Sequence, residues 1–181
     1  NHPSVARDVN NLGGVLQDLG DLEDAKTCIE RALRIDKMQF GADHPSVASL
    51  VNNLGSVLQD LGDMKEAKIC LELALKIDEA AYGTDHPAVA RDLNNLGGVL
   101  QDLGDLKGAK GCYKRALQID EAIYGDDHPN VAFRVNNLGS VLFAQGDILG
   151  ALGHAERALR IQEARLGPDH PYTKKARKHV E

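Results

Sequence analysis

The pair His-Pro recurs at His2-Pro3, His44-Pro45, His86-Pro87, His128-Pro129 and His170-Pro171, a strict 42-residue period. The chain therefore reads as one repeat domain, 1–181, with copies at 2–43, 44–85, 86–127 and 128–169 and a partial fifth at 170–181. Residues 2–43 and 86–127 agree at 29 of 42 positions. Self-similarity at such a period marks stacked supersecondary units, each burying its apolar face only against its neighbours. A catalytic site needs singular residues. Here the ionisable groups of interest recur with the repeat, so the expectation is a binding scaffold and not an enzyme.

Composition narrows the partners. Hydrophobic residues make up 43% of the chain, yet there is no Trp, with four Tyr and three Phe, so a single deep core lacks its usual bulky filling. A net charge of -6 and a pI of about 5.6 argue against a general phosphate-backbone binder, and no nucleic acid partner is expected. The one basic cluster, Lys174, Lys175, Arg177 and Lys178, reads as a solvated helix face. No apolar run approaches the roughly 18 residues of a membrane span, and no signal-peptide pattern opens the chain, so no membrane partner is expected. With Cys28, Cys70 and Cys112 unpaired, a cytoplasmic location follows as an expectation.

Each unit parses as two helices. Gly83 closes one helix, Thr84 and Asp85 form a loop, and Pro87 takes a first-turn position where its missing N–H costs nothing, with His86 or Asp85 as the cap. In the first copy helix A is expected from Pro3 to Leu19, where Gly20-Asp21 breaks it. The same Gly-Asp recurs at Gly62-Asp63, Gly104-Asp105 and Gly146-Asp147. So short a turn forces an antiparallel helix B, expected from Leu22 to Phe40, with Ala25, Ile29, Ala32, Leu33 and Ile35 on one side.

Angular positions divide helix A into a packing face and an open one. With Arg7 at zero, Val9, Leu12, Gly13 and Leu16 fall at about 200°, 140°, 240° and 180°. Asn11, Gly14 and Asp18 fall at about 40°, 340° and 20°. The first group is expected to pack and the second to look outward. The outward column recurs as Ser49, Asn53, Ser56 and Asp60, then Arg91, Asn95, Gly98 and Asp102, then Phe133, Asn137, Ser140 and Ala144. Plain solvation of a polar face is the competing account of this column.

The spacing of Val9, Leu12, Gly13, Leu16, Gly20, Ala25, Ile29 and Ala32 resembles that of the tetratricopeptide repeat, or TPR. The 42-residue length, the His-Pro-x-Val-Ala opening and the Leu/Val-Asn-Asn-Leu-Gly core resemble most the repeats of kinesin light chain and similar prokaryotic arrays. The resemblance covers 2–169 in four units, with Pro171 to Val180 similar to a fifth, capping helix A. It implies an all-α fold, a right-handed superhelical α-solenoid of helix-turn-helix repeats. Two departures stand out: Ala155 replaces the large residue found as Ile29, Leu71 and Tyr113, and Gly150 and Gly153 thin helix B of the fourth unit. That unit is expected to be the loosest.

In the family, the open face of helix A lines a concave groove that holds an extended peptide or a partner helix. That implies, for this chain, a groove lined by Arg7, Asn11, Asp18, Ser49, Asn53, Ser56, Asp60, Arg91, Asn95, Asp102, Phe133, Asn137, Ser140 and Phe143. An asparagine ladder at Asn11, Asn53, Asn95 and Asn137 suits the N–H and C=O groups of an extended ligand. Choice would come from Arg7 and Arg91 taking carboxylates, Asp18, Asp60 and Asp102 taking bases, and Phe133 with Phe143 holding an apolar anchor. For the companions Asn10, Asn52, Asn94 and Asn136, bonding to the neighbouring repeat's backbone competes with a ligand role. TPR domains that grip acidic chaperone tails use Lys or Arg at the sites occupied here by Asn10 and Asn95, leaving only Arg91 and Asn53, so that ligand is not expected. The alternative function is a structural, self-associating array. End-to-end docking through the flank of the first helix A, including Val5 and Val9, is its expected route.

Neither a metal nor a cofactor is expected. His2, His44, His86, His128 and His170 occur once per repeat, about a helix diameter apart, too far for one metal to bridge, and read as caps. The three cysteines share one helix-B position and read as small buried residues; His154 takes their place in the fourth unit as a surface or cap residue. Phe40, Tyr82 and Tyr124 read as packing between repeats. Gly13-Gly14 and Gly97-Gly98 follow no strand, so they read as close helix contacts and not a phosphate loop.

Overall fold

The computed structural model describes residues 3–177, and the fold is all-α, an α-solenoid of helix-turn-helix repeats. The chain divides into two compact units, Asn1–Val99 and Leu100–Glu181. The first holds α1 (Pro3–Leu19), α2 (Leu22–Phe40), α3 (Pro45–Leu61), α4 (Met64–Tyr82) and most of α5 (Pro87–Asp102). The second holds the end of α5, α6 (Leu106–Tyr124), α7 (Pro129–Ala144), α8 (Ile148–Leu166) and the short α9 (Pro171–Arg177). Odd-numbered helices are the A helices of the repeat and α2, α4, α6 and α8 are the B helices. His2 and Lys178, Val180 and Glu181 of the expected cap lie outside the described residues.

The Gly-Asp breaks have one cause. At the end of α1 the Gly20 N–H donates to Gln17 O and the Asp21 N–H to Leu16 O, at 3.0 and 2.9 Å, with Gly20 at φ +87°. This Schellman pattern satisfies two otherwise unpaired carbonyls and needs a left-handed residue, which glycine supplies without a Cβ clash. Gly62-Asp63, Gly104-Asp105 and Gly146-Asp147 repeat it, the last with the Asp147 N–H donating to Leu142 O. At the other junction the cap is the histidine and not the aspartate. His44, His86 and His128 each accept through Nδ1 the backbone N–H two residues on, at 3.1–3.2 Å.

Phe40, Tyr82 and Tyr124 each pack across a repeat boundary, onto the histidine that opens the next repeat. Each ring stacks on the capping histidine four residues later, with centroids 4.7, 4.2 and 4.5 Å apart, and each of the three residues remains exposed. The stack fixes the imidazole in its capping pose, which explains why an aromatic ring and His-Pro recur together.

The core is thin and layered. In the first unit Ala6, Ala32, Ile35 and Leu50 form one cluster, and Val47, Ala48, Val51, Ala74 and Ile77 form the next. Helices A and B approach closely because the A helix carries glycine at the crossing: a Cβ on Gly13 would stand 2.9 Å from Ile29 Cγ1, and one on Gly55 2.8 Å from Leu71 Cγ. Gly14 makes no such contact, with nothing within 4 Å of its would-be Cβ, so close approach explains only the first glycine of that pair.

The packing face of α1 also departs from expectation. Val9 and Leu16 are half-buried and Gly13 is buried, but Leu12 is 51% exposed. Val15 and Leu19 are exposed too, whereas Val5 is half-buried. Their counterparts Leu54 and Val57 are buried, because α3 packs against both α1 and α2 while α1, the first described helix, has no helix pair over that flank.

Candidate functional site

The open column of the A helices holds both exposed and half-buried side chains. Arg7, Asn11, Asp18, Asp60, Asp102, Phe133, Ser140 and Phe143 are exposed; Ser49, Asn53, Ser56, Arg91, Asn95 and Asn137 are half-buried. In the first unit, Gln17, one residue before Asp18, reaches across to the next A helix and donates to Ser56 Oγ at 3.0 Å and Asp60 Oδ2 at 2.6 Å. In the second unit Gln101 likewise donates to Ser140 Oγ at 3.0 Å. These glutamines link α1 to α3 and α5 to α7.

In the first unit asparagines are also linked from repeat to repeat, side chain to side chain. Asn53 donates through Nδ2 to Asn10 Oδ1, and Asn95 to Asn52 Oδ1, both at 2.9 Å. At least one amide hydrogen of Asn53 and of Asn95 is thus spent inside the array. Asn52 goes further and donates to Asp92 Oδ1 at 2.7 Å.

Arg91 is equally committed. Its guanidinium donates to Asp92 Oδ1 at 2.9 and 3.0 Å and to Asp78 Oδ2 at 3.1 Å, so it neutralises the chain's own buried carboxylates. Asp78 is 1% and Asp92 0% exposed, and Asp78 Oδ1 and Asp92 Oδ2 have no hydrogen-bond partner within the protein. Burial raises both carboxyls against the pull of Arg91, taking Asp92 to about 7. Two carboxylates sharing one cation in a dry site hold a proton between them near neutrality. Sequence reasoning missed this group because aspartates on helices read as solvated. The available signal was periodic: Asp36, Asp78 and Asp120 recur at one helix-B register among Ala and Ile, and all are buried. In the second unit Asp120 meets a single cation, Arg134 Nε, at 2.9 Å.

The fourth repeat is built differently. Phe133 (51% exposed) and Phe143 (65%) stand where the other repeats carry Arg or Ser and Gln, and the Arg134 guanidinium lies 5.5 Å from the Phe133 ring centroid. Between α7 and α8 a cavity of about 440 Å³ opens beside Phe143, with Ser140 and Asn136 as its polar lining. A second cavity, of about 340 Å³, lies in the first unit against Asn10, Asn11, Gln17, Asp18 and Asn53, with Ile29 at its base. Gly150 does not thin α8 without purpose: its N–H donates to Asp147 Oδ1 at 3.0 Å, and a Cβ there would strike that carboxylate.

Other expected groups take structural places. Cys28, Cys70 and Cys112 are half-buried and form no disulfide among the described residues, and burial pushes the Cys70 thiol up. His154 bonds through Nδ1 to Gly150 O at 2.8 Å. Among the described residues no helix is long and apolar enough to cross a membrane.

Comparison with known proteins agrees with this architecture. A tetratricopeptide repeat model matches residues 6–80, 46–122 and 93–147, and a second one matches 135–172. No curated protein matches the chain in sequence. Among solved structures, a candidate kinesin light chain of Podosopora anserina with nearly identical TPR-like repeats superposes with a TM-score of 0.84 at 22% identity, covering 99% of this chain and 85% of that one. Its Q17M form gives 0.84 at 21% over the same shares. BtubC (BKLC) of P. vanneervenii gives 0.86 at 25%, covering 98% of this chain and 71% of that one. With matches that span most of its length, the chain belongs to the tetratricopeptide repeat family.

Proposed function

We propose that the chain is an adaptor that captures an extended segment of another protein on the open face of its A helices. TPR repeats serve in general as protein-protein interaction scaffolds, and the finer reading concerns which surface does the work. The observation that carries it is the exposure of the column itself: α3, α5 and α7 are the most deeply packed helices, yet Asp60, Asp102, Phe133 and Phe143 project from them into solvent. A buried helix that displays charged and aromatic groups on one face offers anchors on a rigid base, which lowers the entropic cost of binding. In the first unit the exposed carboxylates Asp18 and Asp60 favour a ligand with Lys or Arg; Arg91, being spent on Asp78 and Asp92, is the weaker recruit for a ligand carboxylate.

The experiment is selection of a random peptide display library on the parent chain and on an Asp18→Lys, Asp60→Lys variant matched for folding by circular dichroism. Basic peptides enriched on the parent and lost on the variant are the expected result. No enrichment, or equal binding by the variant, overturns it. A second reading then moves ahead, self-docking of the array, which the exposed Leu12, Val15 and Leu19 flank of α1 favours.

A further inference from the structure

The fourth repeat departs from the other three at three positions that meet in space. At one helix-B register Ile29, Leu71 and Tyr113 are all buried, and Ile29 and Leu71 lie against the crossing glycines Gly13 and Gly55. Ala155 stands at that register in α8. No side chain of comparable size replaces them, and the nearest side-chain atom to a would-be Cβ on Gly139 is His154 Cβ at 3.3 Å. Ala155 lines the cavity of about 440 Å³, whereas at the same register of the first repeat Ile29 lines the smaller one of about 340 Å³. The rim of the larger one changes in the same repeat. Gln17, Gln59 and Gln101 become Phe143, and Lys26, Lys68 and Lys110 become Leu152. In the second unit Gln101 bonds Ser140, and Lys110 approaches Gln145 Oε1 at 3.4 Å; Phe143 and Leu152 make no such polar link and stand exposed beside Ile148.

A lost core side chain alone is ordinary drift and is usually destabilising. Here the loss coincides with replacement of the polar and cationic rim by apolar residues, which leaves a hollow without a charged lining residue: Gly139, Phe143, Ile148, Leu152 and Ala155, with Asn136 and Ser140 as its polar lining. A solvated void gains nothing from a greasy rim, whereas a receptor for an apolar group does.

We propose that this cavity is a receptor for one uncharged, bulky apolar side chain of a partner protein segment, of leucine to tyrosine size, which fills from outside the place that Ile29, Leu71 and Tyr113 fill from within. The size follows from those three residues, and the absence of charge in the lining selects against a charged occupant. Ser140 belongs to the open column, so the proposal rests on the adaptor reading and supplies its apolar anchor point.

The test is a titration of the isotopically labelled chain with N-acetyl-leucinamide and N-acetyl-tyrosinamide, with N-acetyl-lysinamide as control, followed by amide chemical shifts. Saturable shifts at Gly139, Ser140, Phe143 and Leu152 with the apolar probes alone are expected. Ala155→Leu should weaken them at least tenfold while raising the melting temperature, since it refills the core. Should Ala155→Leu misfold, Phe143→Gln with Leu152→Lys restores the rim of the other repeats at exposed positions, and the same loss is expected. Shifts that are absent, equal for the lysine probe, or retained in both variants overturn the proposal. The adaptor reading fails separately: apolar probes that bind while no library peptide enriches leave the cavity and remove the groove.

Discussion

The helix pairs α3–α4 and α7–α8 are copies of one unit with opposite economies. In the first, Leu71 plugs the crossing at Gly55, Gln59 and Lys68 give the mouth a polar rim, and Asn52 ties the A helix to buried Asp92. In the second, Ala155, Phe143 and Leu152 leave the crossing open and its mouth apolar. The frame is the same in both: a Gly-Asp Schellman turn, a histidine cap stacked on an aromatic ring, and an alanine at the A–B crossing as Ala67 and Ala151. In a solenoid whose units contact only their neighbours, one repeat can thus carry an apolar-rimmed hollow while the others hold the stack.

The largest effect should come from copying the hollow into the wrong pair. Leu71→Ala removes a fully buried side chain and should cost about 2–5 kcal/mol in denaturant unfolding. It should gain no affinity for N-acetyl-leucinamide, since Gln59 and Lys68 keep the rim polar. If Leu71→Ala binds that probe as well as the α7–α8 pair does, the apolar rim is irrelevant and any void in this array suffices.

A mid-sized effect separates the polar interiors of the two units. Asp78 and Asp92 share Arg91, whereas Asp120 has Arg134 to itself, because the register of Asp92 is occupied by Arg134 in the fourth repeat. Burial raises Asp92 from about 3.8 to about 7, so the folded state holds a proton that the unfolded chain releases. The stability this contributes is complete below the unfolded value and is lost as pH rises through about 7. Between pH 5 and pH 8 the parent should lose about 1–3 kcal/mol that an Asp92→Asn variant keeps, measured by urea unfolding of both at the two pH values. Parallel pH profiles would show that Arg91 holds both carboxylates ionised.

Most of the frame was legible in the sequence because periodicity exposes whatever is repeated. The helix bounds Pro3–Leu19 and Leu22–Phe40, the Gly-Asp breaks and the Pro-initiated A helices all follow from punctuation that recurs every 42 residues. Asp92 was hidden because its register does not repeat, with Asp8, Leu50 and Arg134 as counterparts, and only the fold brings it and Asp78 to the same Arg91 guanidinium. The exposure of Leu12 was hidden for a different reason, since an angular position on one helix says which side faces a neighbour but not whether that neighbour is present. The change at Ala155 was visible by itself. Its meaning needed Phe143 and Leu152 at the same mouth, residues 12 and 3 positions away along two different helices.

The smallest effect tests whether the frame is as uniform as the comparison requires. His86 and His128 make the same cap, at 3.2 Å, and stack on Tyr82 and Tyr124 at 4.2 and 4.5 Å. Replacing either by Ala removes one acceptor for a helix N-terminus and one ring contact, a loss of about 1 kcal/mol. The two single variants should fall by equal amounts in denaturant midpoint, with hydrogen exchange rising locally at Ala88 in one and at Asn130 in the other. If His128→Ala instead raises exchange across α7 and α8 while His86→Ala stays local, the fourth repeat is loose in its frame as well as hollow at its face. The cavity would then be a symptom of weak packing, since a receptor needs walls that hold their shape before the ligand arrives.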